Sequence, residues 1–168
     1  MTTSVSELMI EAGQKARAAS RRMAAASTAD KNKALLRLAE LLEAKKEDIF
    51  AANEQDLVRA KKNGLKESFV DRLRVTEKVL RLMAEGARQT AALPDPVGEI
   101  SEMRRRPSGI QVGRMRVPLG VLGIIYESRP NVTVDAACLA VKSGNACILR
   151  GGSEAFETNR ILGELVQQ

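Results

Sequence analysis

The sequence predicts an α/β fold: a helical amino-terminal segment, a β-hairpin, and the first βαβα half of a Rossmann-like domain. Three observations support this prediction. Apolar residues recur at helical spacing through residues 1–97, turn residues divide residues 98–118 into two short strands, and residues 119–168 alternate between apolar strands and helical stretches. We therefore expect three units with boundaries at these positions, the last of them a partial nucleotide-binding domain.

The first unit is predicted to consist of amphipathic helices. One spans Ser6 to Ala26, and Ser27-Thr28-Ala29-Asp30 resembles a capping box that begins the next. Stop signals follow at Asn63-Gly64 and at Leu93-Pro94. The apolar positions expected to face the core are Leu35, Leu38, Leu41, Leu42, Ile49, Ala52, Leu57, Val58, Val79, Leu80, Met83, Ala84 and Ala87. We interpret this segment as scaffold.

The second unit is predicted from turn chemistry at Arg106-Pro107-Ser108-Gly109, which separates strands over residues 99–106 and 110–117. The alternation of apolar and polar residues in these strands is imperfect. Charged side chains on exposed strand edges oppose edge-to-edge association. We expect that role for Arg104, Arg105, Arg106, Arg114 and Arg116.

The third unit begins with a continuous apolar strand, Val121 to Tyr126, of the kind that a parallel sheet covers on both faces. A helix over Val132 to Lys142, a second strand over Ala146 to Leu149 and a helix over Glu154 to Val166 follow. Two parallel strands cannot bury their own faces, and the helical pattern continues to Gln168. We therefore expect the domain to be incomplete and the chain to be cut off.

Composition excludes several classes of function. The 168 residues contain no His, which removes the usual proton shuttle and the commonest metal ligand, so we expect no metal site. Cys138 and Cys147 lack zinc-type spacing, and we expect them to be buried structural thiols in a reducing compartment. No signal peptide or apolar run of about 18 residues is present, so a cytoplasmic protein without membrane contact is expected.

The formal net charge of +6 raises the question of nucleic acid. The positive residues are mixed with acidic ones, and aromatics make up only 2% of the chain, which leaves little for bases to stack on. We expect no nucleic acid partner. A small anionic ligand fits the charge equally well.

Two loops follow the two predicted parallel strands, where open α/β sheets bind ligands. In the first, Glu127 to Asn131, Pro130 suits the first turn of a helix, and Arg129 adds positive charge to the helix N-terminus. Asn131 can donate a hydrogen bond to a phosphate or to a developing oxyanion. Alternatively, Ser128 or Asn131 caps the helix, an interpretation that spacing alone slightly favours.

The second loop is Arg150-Gly151-Gly152-Ser153. The end of the second strand of a dinucleotide fold meets the adenosine ribose, where an acidic residue favours NAD and an arginine suits the 2′-phosphate of NADP. Arg150 therefore favours NADP. A plain glycine turn is the alternative, and the first strand is not followed by a G-x-G-x-x-G phosphate loop.

The segment "RMRVPLGVLGIIYESRPNVTVDAACLAVKSGNACILRGGSEAFETN", Arg114 to Asn159, resembles the gamma-glutamyl phosphate reductases (glutamate-5-semialdehyde dehydrogenases), a branch of the aldehyde dehydrogenase superfamily. The stretches "DIFAANEQDLVRAKKNGL" and "DRLRV" agree with it. The resemblance extends over nearly the whole chain and corresponds to the amino-terminal part of the family's length. It assigns the third unit to an aldehyde-dehydrogenase-type, NADP-binding domain.

The resemblance implies NADPH-dependent reduction of L-glutamyl 5-phosphate to glutamate 5-semialdehyde, with release of phosphate, in proline biosynthesis. Asn131 matches the oxyanion-stabilising asparagine of the superfamily. The cofactor-binding motif at the second strand end matches Arg150, Gly151, Gly152, Ser153 and Glu154. From its position, Arg129 is a candidate ligand for the acidic substrate. A homo-oligomer, with glutamate 5-kinase as a pathway partner, is also expected.

The family's nucleophilic cysteine lies in a region that this chain does not contain, and neither Cys138 nor Cys147 matches it. That thiolate forms a thioester with the acyl group of the substrate. The chain alone is therefore expected to lack reductase activity. The alternative is a non-catalytic binding or interaction module that keeps the fold.

Overall fold

The computed structural model describes residues 4–168, so the first three residues of the predicted helical segment lie outside the described residues. Five helices come first, followed by a hairpin and a βαβα unit, which confirms the predicted fold class. The helices are α1 (Val5–Ala25), α2 (Thr28–Ala44), α3 (Lys46–Lys62), α4 (Glu67–Leu73), α5 (Glu77–Ala92), α6 (Asn131–Lys142) and α7 (Phe156–Val166). The strands are β1 (Ile100–Arg105), β2 (Gln111–Met115), β3 (Val121–Ile125) and β4 (Ala146–Arg150), and a 3₁₀ turn at Ser153–Ala155 precedes α7.

Side-chain caps fix the beginnings of the first helices. Ser4 and Glu7 form a complete capping box at α1, with the Glu7 side chain accepting from the Ser4 N–H. At α2 the Ser27 hydroxyl accepts from the N–H of Asp30 at 3.1 Å, as the sequence predicts, but the Asp30 carboxylate accepts from the Ser27 hydroxyl. The short helix α4 was not predicted, because seven residues are too few to show a helical period.

The hairpin is antiparallel and lies in solvent on both faces. Gly109 adopts φ +88°, a conformation that side chains disfavour, and this allows the tight turn. The register shifts between Ser101 and Arg104, where Glu102 has φ +54°. The five hairpin arginines are exposed, as expected for residues along strand edges.

Strands β3 and β4 pair in parallel, in register from Val121 opposite Ala146 to Ile125 opposite Arg150. Helix α6 makes the connection, and α1 packs against both strands. The strands are only half-buried, and Ile125 is 79% exposed. The expectation that β3 is covered on both faces is therefore wrong within this chain, because two strands leave part of their surface open.

The main hydrophobic core joins helices from both halves of the chain. Helices α2 and α5 pack against each other and against α6, and α7 packs against α2, α3 and α6. The largest fully buried side chains in this core are Leu35, Leu42, Ile49, Met83, Val134, Cys138 and Leu162. The core crosses the boundaries predicted at residues 97 and 118. Val58, expected in the core, is 57% exposed.

Buried charges tie the start of α2 to the segment after α5. Lys31 Nζ lies 2.5 Å from the Asp95 carboxylate, and the Thr28 hydroxyl donates to the same carboxylate at 2.6 Å. Nearby, Lys142 Nζ donates to Asn32 Oδ1 at 2.7 Å and to the Ala91 carbonyl at 2.8 Å. These contacts fix the point where the helical bundle ends and the chain continues into the hairpin.

None of the helices within residues 4–168 is both long and apolar enough to cross a membrane.

The buried pair predicts acid sensitivity. Burial pushes the pKa of the Asp95 carboxyl up, but hydrogen bonds from Lys31, Thr28 and the Val97 N–H outweigh it and hold the pKa at about 2, below the ordinary 3.8. A carboxyl whose pKa is depressed in the folded state stabilises the fold above its unfolded pKa. That stabilisation, of about 2 kcal/mol, is therefore lost as the pH falls from about 4 towards 2.

The test is urea unfolding of the wild-type chain and of Asp95→Asn across this pH range. The difference in unfolding free energy between them should shrink as the pH falls. The exposed Asp71→Asn should show no such trend. A difference that is constant with pH for Asp95→Asn would contradict the assignment.

Candidate functional site

The carboxyl ends of β3 and β4 bring the two predicted loops together. The Tyr126 N–H donates to the Arg150 carbonyl at 3.1 Å, which extends the strand pairing by one residue. Beyond this point lies an open pocket of about 390 Å³. Its lining residues are Phe69, Ile125, Tyr126, Glu127, Ser128, Arg150, Gly152 and Glu154.

The two loops are joined by a hydrogen bond between Ser128 and Glu154. Ser128 is buried, and its hydroxyl donates to Glu154 Oε2 at 3.2 Å. Gly152 lies between them. A Cβ atom at this position would lie 2.5 Å from Glu154 Oε2 and 3.3 Å from the Ser128 hydroxyl. A side chain at this position would therefore crowd the Ser128–Glu154 contact.

Three hydrogen-bonded polar side chains connect the elements next to the loops. The Thr133 hydroxyl donates to Asn159 Oδ1 at 3.0 Å, so the Tyr126 hydroxyl, 2.6 Å away, donates to Thr133. A Cβ atom on Gly151 would collide with Asn159 Nδ2 and lie 3.1 Å from the Tyr126 hydroxyl. These hydrogen bonds link the residue after β3 to α6 and to α7.

Sequence reasoning missed Tyr126, Thr133 and Asn159 as a group. A buried hydroxyl needs a partner, and Tyr126 is the one tyrosine in the sequence, placed directly before the first loop. Its partners lie 7 residues further along the chain and then 26 beyond that. No local pattern connects residues at such distances.

The predicted cations do not all face the pocket. Arg150 lines it and is exposed, at the last residue pair of the sheet. Arg129 is exposed but is not among the lining residues, and neither is Ser153. Arg72 of α4 lies over the Phe69 ring at 5.4 Å and 3.9 Å from Glu127, which places a second cation at the rim.

Asn131 is the first residue of α6, and its side chain points along the helix. Its Nδ2 donates to Asp135 Oδ2 at 3.0 Å. The interpretation that Ser128 or Asn131 caps α6 is wrong, because no side chain bonds to the first helical N–H groups. Pro130 already has helical angles (φ −58°, ψ −32°).

Two N–H groups at the start of α6 are already bonded within the chain. The Val132 N–H donates to the Arg129 carbonyl, and the Thr133 N–H donates to the Pro130 carbonyl, both at 3.1 Å. These tight-turn bonds occupy donors that an anion at this end of the helix would otherwise use.

Neither cysteine has the environment of a nucleophile. Burial raises the pKa of the Cys138 thiol to about 12, and the Asp135 carboxylate adds to the rise. Burial also raises the pKa of half-buried Cys147. Both thiols are therefore protonated near neutral pH and unreactive. Within residues 4–168, no group of three or more His, Cys, Asp or Glu side chains is placed to hold a metal ion.

Comparison with known proteins identifies the family. A model of the aldehyde dehydrogenase family matches residues 2–168. The solved gamma-glutamyl phosphate reductase of Thermotoga maritima is 42% identical, with a TM-score of 0.91, over 94% of this chain and 38% of that one. The enzyme of Saccharomyces cerevisiae is 33% identical, with a TM-score of 0.89, over 98% of this chain and 41% of that one.

A more distant likeness extends to an NAD-dependent benzaldehyde dehydrogenase from Corynebacterium glutamicum. It is 24% identical with a TM-score of 0.73, over 99% of this chain and 34% of that one, and shows a shared fold. The chain thus spans about two fifths of the length of the two reductases that it matches.

The packing at the second loop predicts that Gly151→Ala destabilises the chain. The new methyl group must displace Asn159 and break its bond with Thr133, at a cost of roughly 1–3 kcal/mol in unfolding free energy. Gly163→Ala in α7 is the control, since nothing lies within 4 Å of the position that its methyl group would take. Alanine also favours helix, so this control should raise stability by about 0.5–1 kcal/mol. Equal effects in urea unfolding would contradict this account.

Proposed function

The chain belongs to the aldehyde dehydrogenase family, and from this premise we propose that it forms the amino-terminal part of an NADPH-dependent reductase. The reductase converts L-glutamyl 5-phosphate to glutamate 5-semialdehyde and releases phosphate, a step of proline biosynthesis. Identities of 42% and 33% to two gamma-glutamyl phosphate reductases support this choice of substrate. The observation that carries the proposal is that the two loops at the strand ends meet around one pocket, where Arg150 is exposed.

The residues at the second loop fit the phosphate-bearing end of a nicotinamide cofactor. Arg150 offers a cation at the strand end, where the 2′-phosphate of NADP would form a charge-assisted hydrogen bond. Gly152 lets Glu154 and Ser128 come close to the loop backbone, and Ser153 adds an exposed hydroxyl. Glu154 accepts a hydrogen bond from Ser128, and its carboxylate is the proposed acceptor for the ribose hydroxyls. When bound, NADPH supplies the hydride for the reduction.

Asn131 and Arg129 are proposed to act on the substrate. Asn131 is the donor for the oxyanion that develops on the acyl group. Its amide is held by Asp135 in this structure, so this role requires the side chain to turn away from that carboxylate. Arg129, two residues earlier and exposed, is the proposed ligand for the acidic substrate.

The nucleophile of the proposed reaction lies outside these 168 residues. Cys138 is buried and Cys147 half-buried, and burial raises the pKa of both thiols, so neither suits attack on an acyl phosphate. We therefore propose that the chain by itself is inactive. The preference for NADP over NAD, the homo-oligomer, glutamate 5-kinase as a partner and the cytoplasmic location stay predictions.

The reaction itself is tested by following NADPH oxidation and phosphate release with L-glutamyl 5-phosphate. The full-length reductase should turn over, and the 168-residue chain should not. Asn131→Ala in the full-length protein should lower kcat by about 10²–10³-fold if its amide stabilises the oxyanion. Turnover by the isolated chain, or full activity of the variant, would contradict the respective assignment.

The cofactor assignment predicts that Arg150→Gln weakens NADPH more than NADH. The variant loses the charge-assisted bond to the 2′-phosphate, so the KM for NADPH should rise about tenfold, while the KM for NADH stays nearly constant. Arg160→Gln makes the same change in charge on α7, where Arg160 pairs with Glu157 and Glu164, and should leave both values unchanged. An equal rise for both cofactors would count against the 2′-phosphate contact.

A further inference from the structure

We propose that Asp56 is a positioning residue for the candidate site, because its buried carboxylate holds the start of α7 and with it the loop from Arg150 to Glu154. The inference rests on the proposed function in one respect, namely that the loop from Arg150 to Glu154 binds the cofactor. The positioning itself is a property of this chain. It gives the helical segment, which the sequence indicated only as scaffold, a part in shaping the site.

The contact joins residues about 100 positions apart. Asp56 lies in α3 and is fully buried. Its Oδ1 accepts from the Glu157 N–H at 3.1 Å, and its Oδ2 accepts from the Thr158 N–H at 2.8 Å and the Thr158 hydroxyl at 2.7 Å. Because α7 begins at Phe156, both N–H groups belong to its first turn.

Asp56 therefore does for α7 what a capping side chain does within one helix. The residue before α7, Ala155, has no side chain that can accept a hydrogen bond, and α7 has no local cap. A carboxylate is favoured here because the helix N-terminus carries a partial positive charge. Arg59, one turn along α3, contacts the same carboxylate and balances its charge.

A second buried side chain supports Asp56. Asn53 Nδ2 donates to the Thr158 hydroxyl at 3.2 Å and to the Leu73 carbonyl at 2.8 Å, and its Oδ1 accepts from the Val75 N–H at 2.8 Å. The Thr158 hydroxyl thus accepts from Asn53 while it donates to Asp56. The network fastens α7 to α3 and to the end of α4.

Apolar packing fixes the same point. Ala155 is fully buried in a small cluster that is separate from the main core. Its other buried members are Leu57, Ala60, Val70 and Leu73. The candidate loop is therefore held by β4 at one end and by α3 and α4 at the other, and the Ser128–Glu154 bond fastens it from the side.

The test is amide hydrogen exchange on the 168-residue chain with Asp56→Asn. The side chain keeps its shape, but its NH₂ group cannot accept a hydrogen bond, so the first turn of α7 loses one of its two acceptor oxygens. Exchange over residues 151–158 should become roughly tenfold faster, with the main core unchanged. Asp48→Asn, on the exposed face of the same helix, should leave exchange as in wild type.

Thr158→Val provides a gentler variant that keeps the two backbone bonds and loses the hydroxyl, and it should accelerate the same region by about threefold. If Asp56→Asn does not fold, Thr158→Val decides whether the contact with Asp56 positions the start of α7. Wild-type exchange over residues 151–158 in a folded Asp56→Asn chain, or acceleration spread evenly over all helices, would overturn the positioning role. So would wild-type exchange in Thr158→Val.

A kinetic readout separates this inference from the proposed function. In the full-length reductase, Asp56→Asn should raise the KM for NADPH about tenfold with kcat within about twofold, since a misplaced loop weakens binding. A purely structural defect would lower the active fraction and leave KM unchanged. Faster loop exchange with an unchanged KM would retain the positioning and overturn the assignment of the cofactor to this loop.

Discussion

The structure depends on one constraint: two parallel strands cannot bury their own faces. Strands β3 and β4 are half-exposed along most of their length. The helices that connect and follow them must therefore pack their apolar faces against other elements. Helices α6 and α7 pack against α2, α3 and α5, and side chains such as Val134 and Leu162 are fully buried there. Each such side chain contributes about 1.5–3 kcal/mol of apolar burial. The bundle therefore decides where the strand ends and their loops lie.

Local patterns predicted most of the elements, because helical periods, turn residues and apolar runs are properties of neighbouring residues. The hairpin turn at Arg106 to Gly109 and the order of the βαβα unit are examples. The patterns failed where partners are distant in sequence. In the sequence, Asp56 fits the polar face of an amphipathic helix, but its hydrogen-bond partners are Glu157 and Thr158. Helix α4 was too short to show a period.

The candidate site was predictable in part for the same reason. The rule that ligands bind at the carboxyl ends of parallel strands located both loops, and the structure brings Arg150, Gly152 and Glu154 to one pocket. The side-chain directions were not predictable. Asn131 was expected either to cap α6 or to face a ligand. Its side chain does not cap the helix, and its amide donates to Asp135 in this structure.

A crystal structure of the proposed full-length reductase with NADP tests the central claim, which is that the meeting point of the two loops binds the cofactor. The account predicts that the 2′-phosphate lies within hydrogen-bond distance of the Arg150 guanidinium, with the ribose beside Glu154 and α7 still bonded to Asp56. A cofactor bound away from the ends of β3 and β4, with the Arg150 to Glu154 loop open to solvent, would contradict it.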